Sequence, residues 1–169
     1  SDTYPPQING VATSVRNLYR TLKANGDEVM IVTINPLEKK TKLDDDILMI
    51  KGFELKHLYN FRIASFYNRK AFSLLKKFSP NVIHVQTDAT VGQFGFIVAR
   101  QLKVPTVYTY HTMIEDYTYY LSNNLFLDRA FKGMIRGYTR YKSNLANEFV
   151  APSEKIHEYM RTIGVDAYI

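Results

Sequence analysis

The 169-residue chain has no cysteine, which excludes a disulfide framework and a thiolate metal site and suits a reducing cytosol. No signal-peptide pattern occurs in these residues, and no apolar run approaches the ~18 residues needed to span a bilayer. No Gly-x-Gly-x-x-Gly sequence follows a strand and no Walker A sequence occurs, so a dinucleotide or P-loop role is disfavoured. No His or carboxylate spacing matches a zinc site. No carboxylate pair stands out as the acid and base of a glycoside hydrolase. The acidic run Asp44-Asp45-Asp46 falls in a charged loop and reads as solvated, so no metal is assigned to it.

Carboxylates are missing from two stretches. Residues 55–87 have none but carry Lys56, Arg62, Arg69, Lys70, Lys76 and Lys77. Residues 129–142 have none but carry Arg129, Lys132, Arg136, Arg140 and Lys142. The net charge of +6 is therefore concentrated, which favours an anionic partner. A hydrophobic content of 46% argues against disorder. The length suits one domain that buries roughly 70% of its unfolded-chain surface.

Periodicity predicts helices over residues 11–25, 63–78, 91–102, 128–147 and from the Ser153 cap to about 163. Strands are predicted at 29–33, 47–50, 82–86, 106–110 and 149–151, with 38–46 as a charged loop. The run Val29-Met30-Ile31-Val32-Thr33 reads as a strand buried on both faces. Strands alternating with helices imply right-handed crossovers and a parallel sheet. Such a sheet normally has a strand before its first ligand loop. Here that strand is missing or nearly so, and residues 165–169 look like the approach to another. Both ends therefore suggest a piece of a larger protein.

Two segments sit where an open α/β sheet binds ligands, at the carboxyl edge of its strands. The first is Tyr4-Pro5-Pro6-Gln7-Ile8-Asn9-Gly10, a turn-rich loop opening onto a helix. Gly10 there is either a phosphate contact at a helix N-terminus or a plain turn glycine. The second is Val107-Tyr108-Thr109-Tyr110-His111-Thr112, a strand ending on a histidine. His111 is either a polar group of a cleft or a histidine satisfied by backbone. Glu115, Asp116 and Asp88 read as polyol ligands or as solvated loop. His84 reads as structural, and His57 and His157 as surface residues.

In the helix predicted over 128–147, Phe131, Met134, Ile135, Tyr138, Tyr141 and Leu145 form an apolar stripe. Arg129, Lys132, Arg136 and Arg140 lie beside it. Such a helix suits an anionic membrane interface or packs its stripe into a core. Nucleic acid is not expected, because no helix-turn-helix or RNP signature occurs.

At these residues the chain resembles the N-terminal domain of family 4 glycosyltransferases, retaining enzymes of the GT-B fold. It is most similar to the diacylglycerol glucosyltransferases of Gram-positive bacteria and mollicutes. The pieces that carry the resemblance are Asp2-Thr3-Tyr4-Pro5-Pro6, Asn9-Gly10-Val11, Gly26-Asp27-Glu28-Val29 and Pro80-Asn81-Val82-Ile83-His84-Val85. They continue with Gly92, Val104-Pro105-Thr106-Val107-Tyr108-Thr109-Tyr110-His111-Thr112, Glu115-Asp116-Tyr117 and Ala151-Pro152-Ser153. Together they cover nearly the whole chain.

The resemblance implies an α/β, Rossmann-like parallel sheet flanked by helices, the N-terminal half of a GT-B fold. Residues 1–169 would be its acceptor- and membrane-side domain. The nucleotide-sugar domain with its E-x7-E carboxylates is absent, so the chain by itself should be inactive. The reaction implied is transfer of glucose from UDP-glucose or a related nucleotide sugar to a diacylglycerol-type lipid, with retention and without a cofactor or metal. Gly10, with Asn9 beside it, would meet the donor diphosphate, and His111, as the catalytic residue, would stand near the donor sugar and help stabilise the transition state. Tyr4, Thr112 and Glu115 would line the acceptor side. Arg69, Lys70, Lys76, Lys77, Arg129, Lys132, Arg136 and Arg140 would hold the enzyme on anionic lipid at the cytoplasmic face of the cell membrane. Rival readings are a GT-B enzyme with a soluble acceptor and a non-enzymatic basic module that binds lipid or RNA.

Overall fold

The structure, a computed structural model, describes residues 1–37, 40–55, 61–111 and 125–169. The chain divides into two compact units, Ser1–Val104 and Pro105–Ile169.

The first unit opens with α1 (Gly10–Ala24). Asn9 stands before it in extended backbone and its side chain accepts from the Ala12 amide at 2.8 Å, which satisfies one free N–H of the first turn. Gly26, at φ 92°, ends the helix in a conformation that costs glycine little. Strand β1 (Ile31–Ile34) pairs in parallel with β3 (Ile47–Ile50), and β2 (Lys42–Asp44) adds to β3 antiparallel. The strand β2 corrects the expectation of a loop over 38–46. All three of its residues are exposed, as suits a short charged edge strand. The acidic run is engaged at its ends. Asp44 pairs with Lys42 at 3.0 Å, and Asp46 accepts from Lys23 at 2.8 Å and from the Tyr19 hydroxyl at 3.1 Å.

The strands β4 (Gly52–Leu55) and β5 (Phe61–Ala64) form an antiparallel pair with Phe53 opposite Ile63. This corrects the helix expected from Ile63. Helix α2 (Arg69–Phe78) starts only where the Asn68 side chain accepts from the Ala71 amide at 2.9 Å, and it ends at Ser79, in the left-handed region, ahead of Pro80. Strand β6 (Ile83–Val85) and helix α3 (Thr90–Leu102) follow. The core of this unit is one cluster that includes Ile34, Leu48, Ile50, Leu75, Phe94 and Val98.

In the second unit β7 (Thr106–Thr109) pairs in parallel with β8 (Glu148–Val150), with Tyr108 opposite Phe149. Tyr168 makes a parallel bridge to Val150, so the expected approach to a further strand is present. Helix α4 (Leu125–Ser143) starts and ends a few residues ahead of its predicted bounds. Helix α5 (Glu154–Thr162) is capped by Ser153 as predicted and buries Ile156 and Met160. Among the described residues no helix is long and apolar enough to cross a membrane.

Candidate functional site

The loop before α1 is pinned at both ends. At its start Asp2 is buried and reaches the N-terminus of α3. Its carboxylate accepts from the Val91 amide at 2.8 Å, the Gly92 amide at 3.3 Å, the Thr90 hydroxyl at 2.8 Å and the Thr87 hydroxyl at 2.6 Å. Residue Ala89, in the local cap position of α3, makes no side-chain cap, so Asp2 performs from a distance what a neighbouring Ser or Asp normally does. At its other end the loop is held by Asn9 on α1. Between them the Tyr4 carbonyl accepts from the Gln7 amide at 3.1 Å, which closes a turn.

Gly10 is exposed as the first residue of α1, and a Cβ built there would meet nothing within 4 Å. It stands at the N-terminus of a helix with no acidic residue in its first turn. Tyr4 is half-buried. Burial raises its phenol above the ordinary value, against the opposing pull of the Arg20 and Arg16 guanidiniums. The phenol is therefore neutral, able to donate and to accept. Thr3 Oγ1, Gln7 Oε1 and Arg16 Nε are buried and have no partner among the described residues. Buried polar atoms without partners are rare in folded proteins and commonly await water or ligand. Sequence reasoning missed Arg16 and Arg20; their spacing of four on α1, one turn apart, was the available signal.

His111 lies just past the end of β7. The Tyr110 amide donates to the Val150 carbonyl at 3.1 Å and carries the pairing to the last residue before the histidine. Beneath it Tyr108, Tyr110 and Phe149 are buried together, with ring centroids 5.1–6.4 Å apart. Burial lowers the His111 pKa, so the ring is neutral near pH 7. A neutral imidazole offers one donor and one acceptor rather than a cation. Thr112 and Glu115 lie outside the described residues, as does His57. His84 is half-buried within β6, and His157 is half-buried on α5 rather than fully at the surface.

The basic residues fall on two helices. On α2, Arg69, Lys70, Lys76 and Lys77 are exposed, and the Lys70 ammonium donates to the Thr41 carbonyl at 3.1 Å. On α4 the described members of the stripe expected to choose between a core and a membrane are mostly exposed. Met134 is 63% exposed and Tyr141 60%, Tyr138 is exposed, Ile135 is half-buried and Leu145, just past the helix, is exposed, whereas Thr139, Lys142 and Ser143 are buried. Arg129, Arg136 and Arg140 are exposed beside the stripe and Lys132 is half-buried. The Arg140 guanidinium donates to the Ile163 carbonyl at the C-terminal end of α5, where a cation is favoured. Buried Lys142 has its ammonium 5.8 Å from the centre of the Tyr138 ring.

Residues 8–168 match the family described as Glycosyltransferase Family 4. The chain belongs to glycosyltransferase family 4. It is 34% identical over 95% of its length to an alpha-monoglucosyldiacylglycerol synthase of Acholeplasma laidlawii, covering 41% of that protein. A protein of the same name from Streptococcus pneumoniae is 31% identical over 95% of the chain, which covers 36% of it. A GDP-mannose-dependent alpha-mannosyltransferase of Corynebacterium glutamicum is 24% identical over 70% of the chain and is covered to 29%. The family 4 chain thus spans about two fifths of the length of the first two relatives. No solved structure matches it.

Within this family 4 domain the structure brings Tyr4, Asn9 and Gly10 onto one loop, and adds Arg16 and Arg20 to their surroundings. Asn9 is occupied in capping α1, so it positions Gly10. Among the described residues no group of three His, Asp or Glu side chains could hold a metal ion.

Proposed function

We propose that this domain is the acceptor- and membrane-side half of an enzyme that transfers glucose from a UDP-sugar to a diacylglycerol-type lipid with retained anomeric configuration. The observation that carries the reading is the outward face of α4, where Met134, Tyr138 and Tyr141 stand exposed beside Arg129 and Arg136. Apolar side chains next to cations suit the boundary between acyl chains and anionic headgroups. Each cation near such a surface contributes about 1 kcal/mol. The relatives named as monoglucosyldiacylglycerol synthases support the choice of lipid acceptor.

In this reading the Gly10 amide and the open end of α1 meet the donor diphosphate, where backbone dipoles favour negative charge. The departing diphosphate gains negative charge as the sugar bond breaks, so a fixed N–H aimed at it lowers the barrier. Neutral His111 hydrogen-bonds near the donor sugar. Tyr4, Thr112 and Glu115 position the acceptor hydroxyl. The enzyme works as a peripheral protein on the inner face of the cell membrane, with α2 and α4 against lipid.

The test is sedimentation of the chain with neutral and with anionic vesicles at low and high salt. Salt-sensitive binding to anionic vesicles alone supports the reading. Absence of binding to both removes the membrane claim and leaves a family 4 domain whose acceptor is soluble.

A further inference from the structure

The three-stranded sheet of the first unit ends on β2, which has β3 on one side and no strand on the other among the described residues. An open strand edge offers unpaired N–H and C=O groups to any chain that fits them. The register says which groups are on offer. The Ile31 amide donates to the Asp46 carbonyl at 2.8 Å and the Asn35 amide to the Ile50 carbonyl at 2.7 Å, so residues 46, 48 and 50 turn their main-chain groups towards β1. Alternation turns those of Ile47 and Met49 towards β2, where they meet Asp44 and Lys42. Leu43 lies between these two and points its N–H and C=O the other way, over the open edge.

The edge is held at both ends. Just ahead of it Thr41 is buried, and its hydroxyl accepts from the Lys51 amide at 3.1 Å and from the Asn68 side chain at 2.9 Å. Just behind it Asp45 turns the chain at φ 47°, and the Asp46 carboxylate accepts from Lys23 and Tyr19. Groups already in place lose little entropy on association. The side chains are ordered as well. Lys42 and Asp44 share one face and pair at 3.0 Å, while Leu43 is exposed on the other face, opposite Leu48.

We propose that β2 is a docking edge for a second copy of this chain, paired antiparallel about a two-fold axis at Leu43. There the Leu43 N–H donates to the Leu43 carbonyl of the other copy and its own carbonyl accepts in return. The residues on either side of Leu43 select this occupant. In an inverted copy Lys42 falls opposite Asp44 and Asp44 opposite Lys42, so both flanking pairs join opposite charges. A parallel copy sets like against like at both positions and is repelled. The two Leu43 side chains meet on one face and extend the layer of buried Leu48. The contact uses the same patch on both copies, so it closes as a pair and does not propagate. With only three strand residues a side, the dimer is weak, with a Kd of about 0.1–1 mM.

The test is sedimentation equilibrium of the chain from about 0.01 to 1 mM. The mass should rise with concentration towards that of a dimer, and less so at high salt. Lys42→Glu sets carboxylate against carboxylate in both flanking pairs and should weaken association by at least about tenfold. Adding Asp44→Lys to it restores opposite charges and should return the parent affinity to within about threefold. Lys42→Glu chains mixed with Asp44→Lys chains should form mixed dimers that neither forms alone. Leu43→Pro removes the outward N–H and none of the bonds from β2 to β3, and should leave a folded monomer. A parent chain that stays monomeric at about 1 mM overturns the proposal. So does an association that the single reversal leaves intact, or one that the double swap fails to restore. Should Leu43→Pro lose its fold, the charge reversal and its swap decide by themselves, since both positions are exposed.

Discussion

The Asp2 carboxylate accepts the Val91 amide at 2.8 Å, across 89 residues of sequence, and so supplies a cap that α3 does not carry in its own flanking residues. The loop bearing Tyr4 and Gly10 starts from this anchor. Replacing it, Asp2→Ala, leaves the Val91 and Gly92 amides and two hydroxyls without their acceptor. Loss of about 3 kcal/mol of stability is expected in urea unfolding. Asp2→Asn keeps one acceptor oxygen and should cost less.

Gly92 contrasts sharply with Gly133. A Cβ at Gly92 would stand 1.8 Å from the Thr87 carbonyl oxygen, which is backbone and cannot swing away. Gly92→Ala should therefore cost about 3 kcal/mol, with a visible loss of Tm. At Gly133, inside α4, a Cβ meets nothing within 4 Å. Gly133→Ala should stabilise by roughly 0.5–1 kcal/mol, since alanine loses less backbone entropy in a helix.

The face of α4 predicts two separable kinds of vesicle binding. Arg129→Gln with Arg136→Gln removes two exposed cations and should weaken binding to anionic vesicles by at least tenfold at low salt, at about 1 kcal/mol each. The salt dependence should shrink with it. Met134→Ser with Tyr141→Ser should weaken binding at every salt concentration. Both pairs are exposed, so Tm should stay within a degree or two of the parent.

Burial gives His111 a pH-dependent contribution to stability. Its folded pKa lies below the ordinary 6.5, so as pH falls through that region the unfolded chain takes up the proton first. The contribution to stability is present above pH 6.5 and lost on acidification. His111→Gln should remove this part of the acid dependence, measured as urea midpoints from pH 7 to 5.

Much of the first unit was legible because its signals were local. Asn9 and Gly10 open α1, Gly26 closes it, and an apolar run makes β1. The strands β4 and β5 were not legible. Ile63, Phe66 and Tyr67 continue the spacing of Ala71, Leu74 and Leu75, and helical period alone absorbs them; only the Asn68 cap marks the true start. For α4 the sequence displayed a stripe but could not say which side is covered. That depends on the buried Thr139, Lys142 and Ser143, which no hydrophobic pattern would select. Asp2 was quoted as part of a motif, yet its role rests on contacts about 90 residues away, which periodicity does not report.

The loop from Asp2 to Gly10 joins the positive ends of two helices, and only one of them holds a countercharge. At α3 the Asp2 carboxylate is already seated on the free amides. At α1 the cap is the uncharged Asn9 amide, and no acid follows in the first turn. The two ends are thus electrostatically unequal, one neutralised from within and one left unbalanced. An incoming polyanion is repelled from the first by its carboxylate and drawn to the second, so the direction in which a charged ligand settles is set before it makes any specific contact.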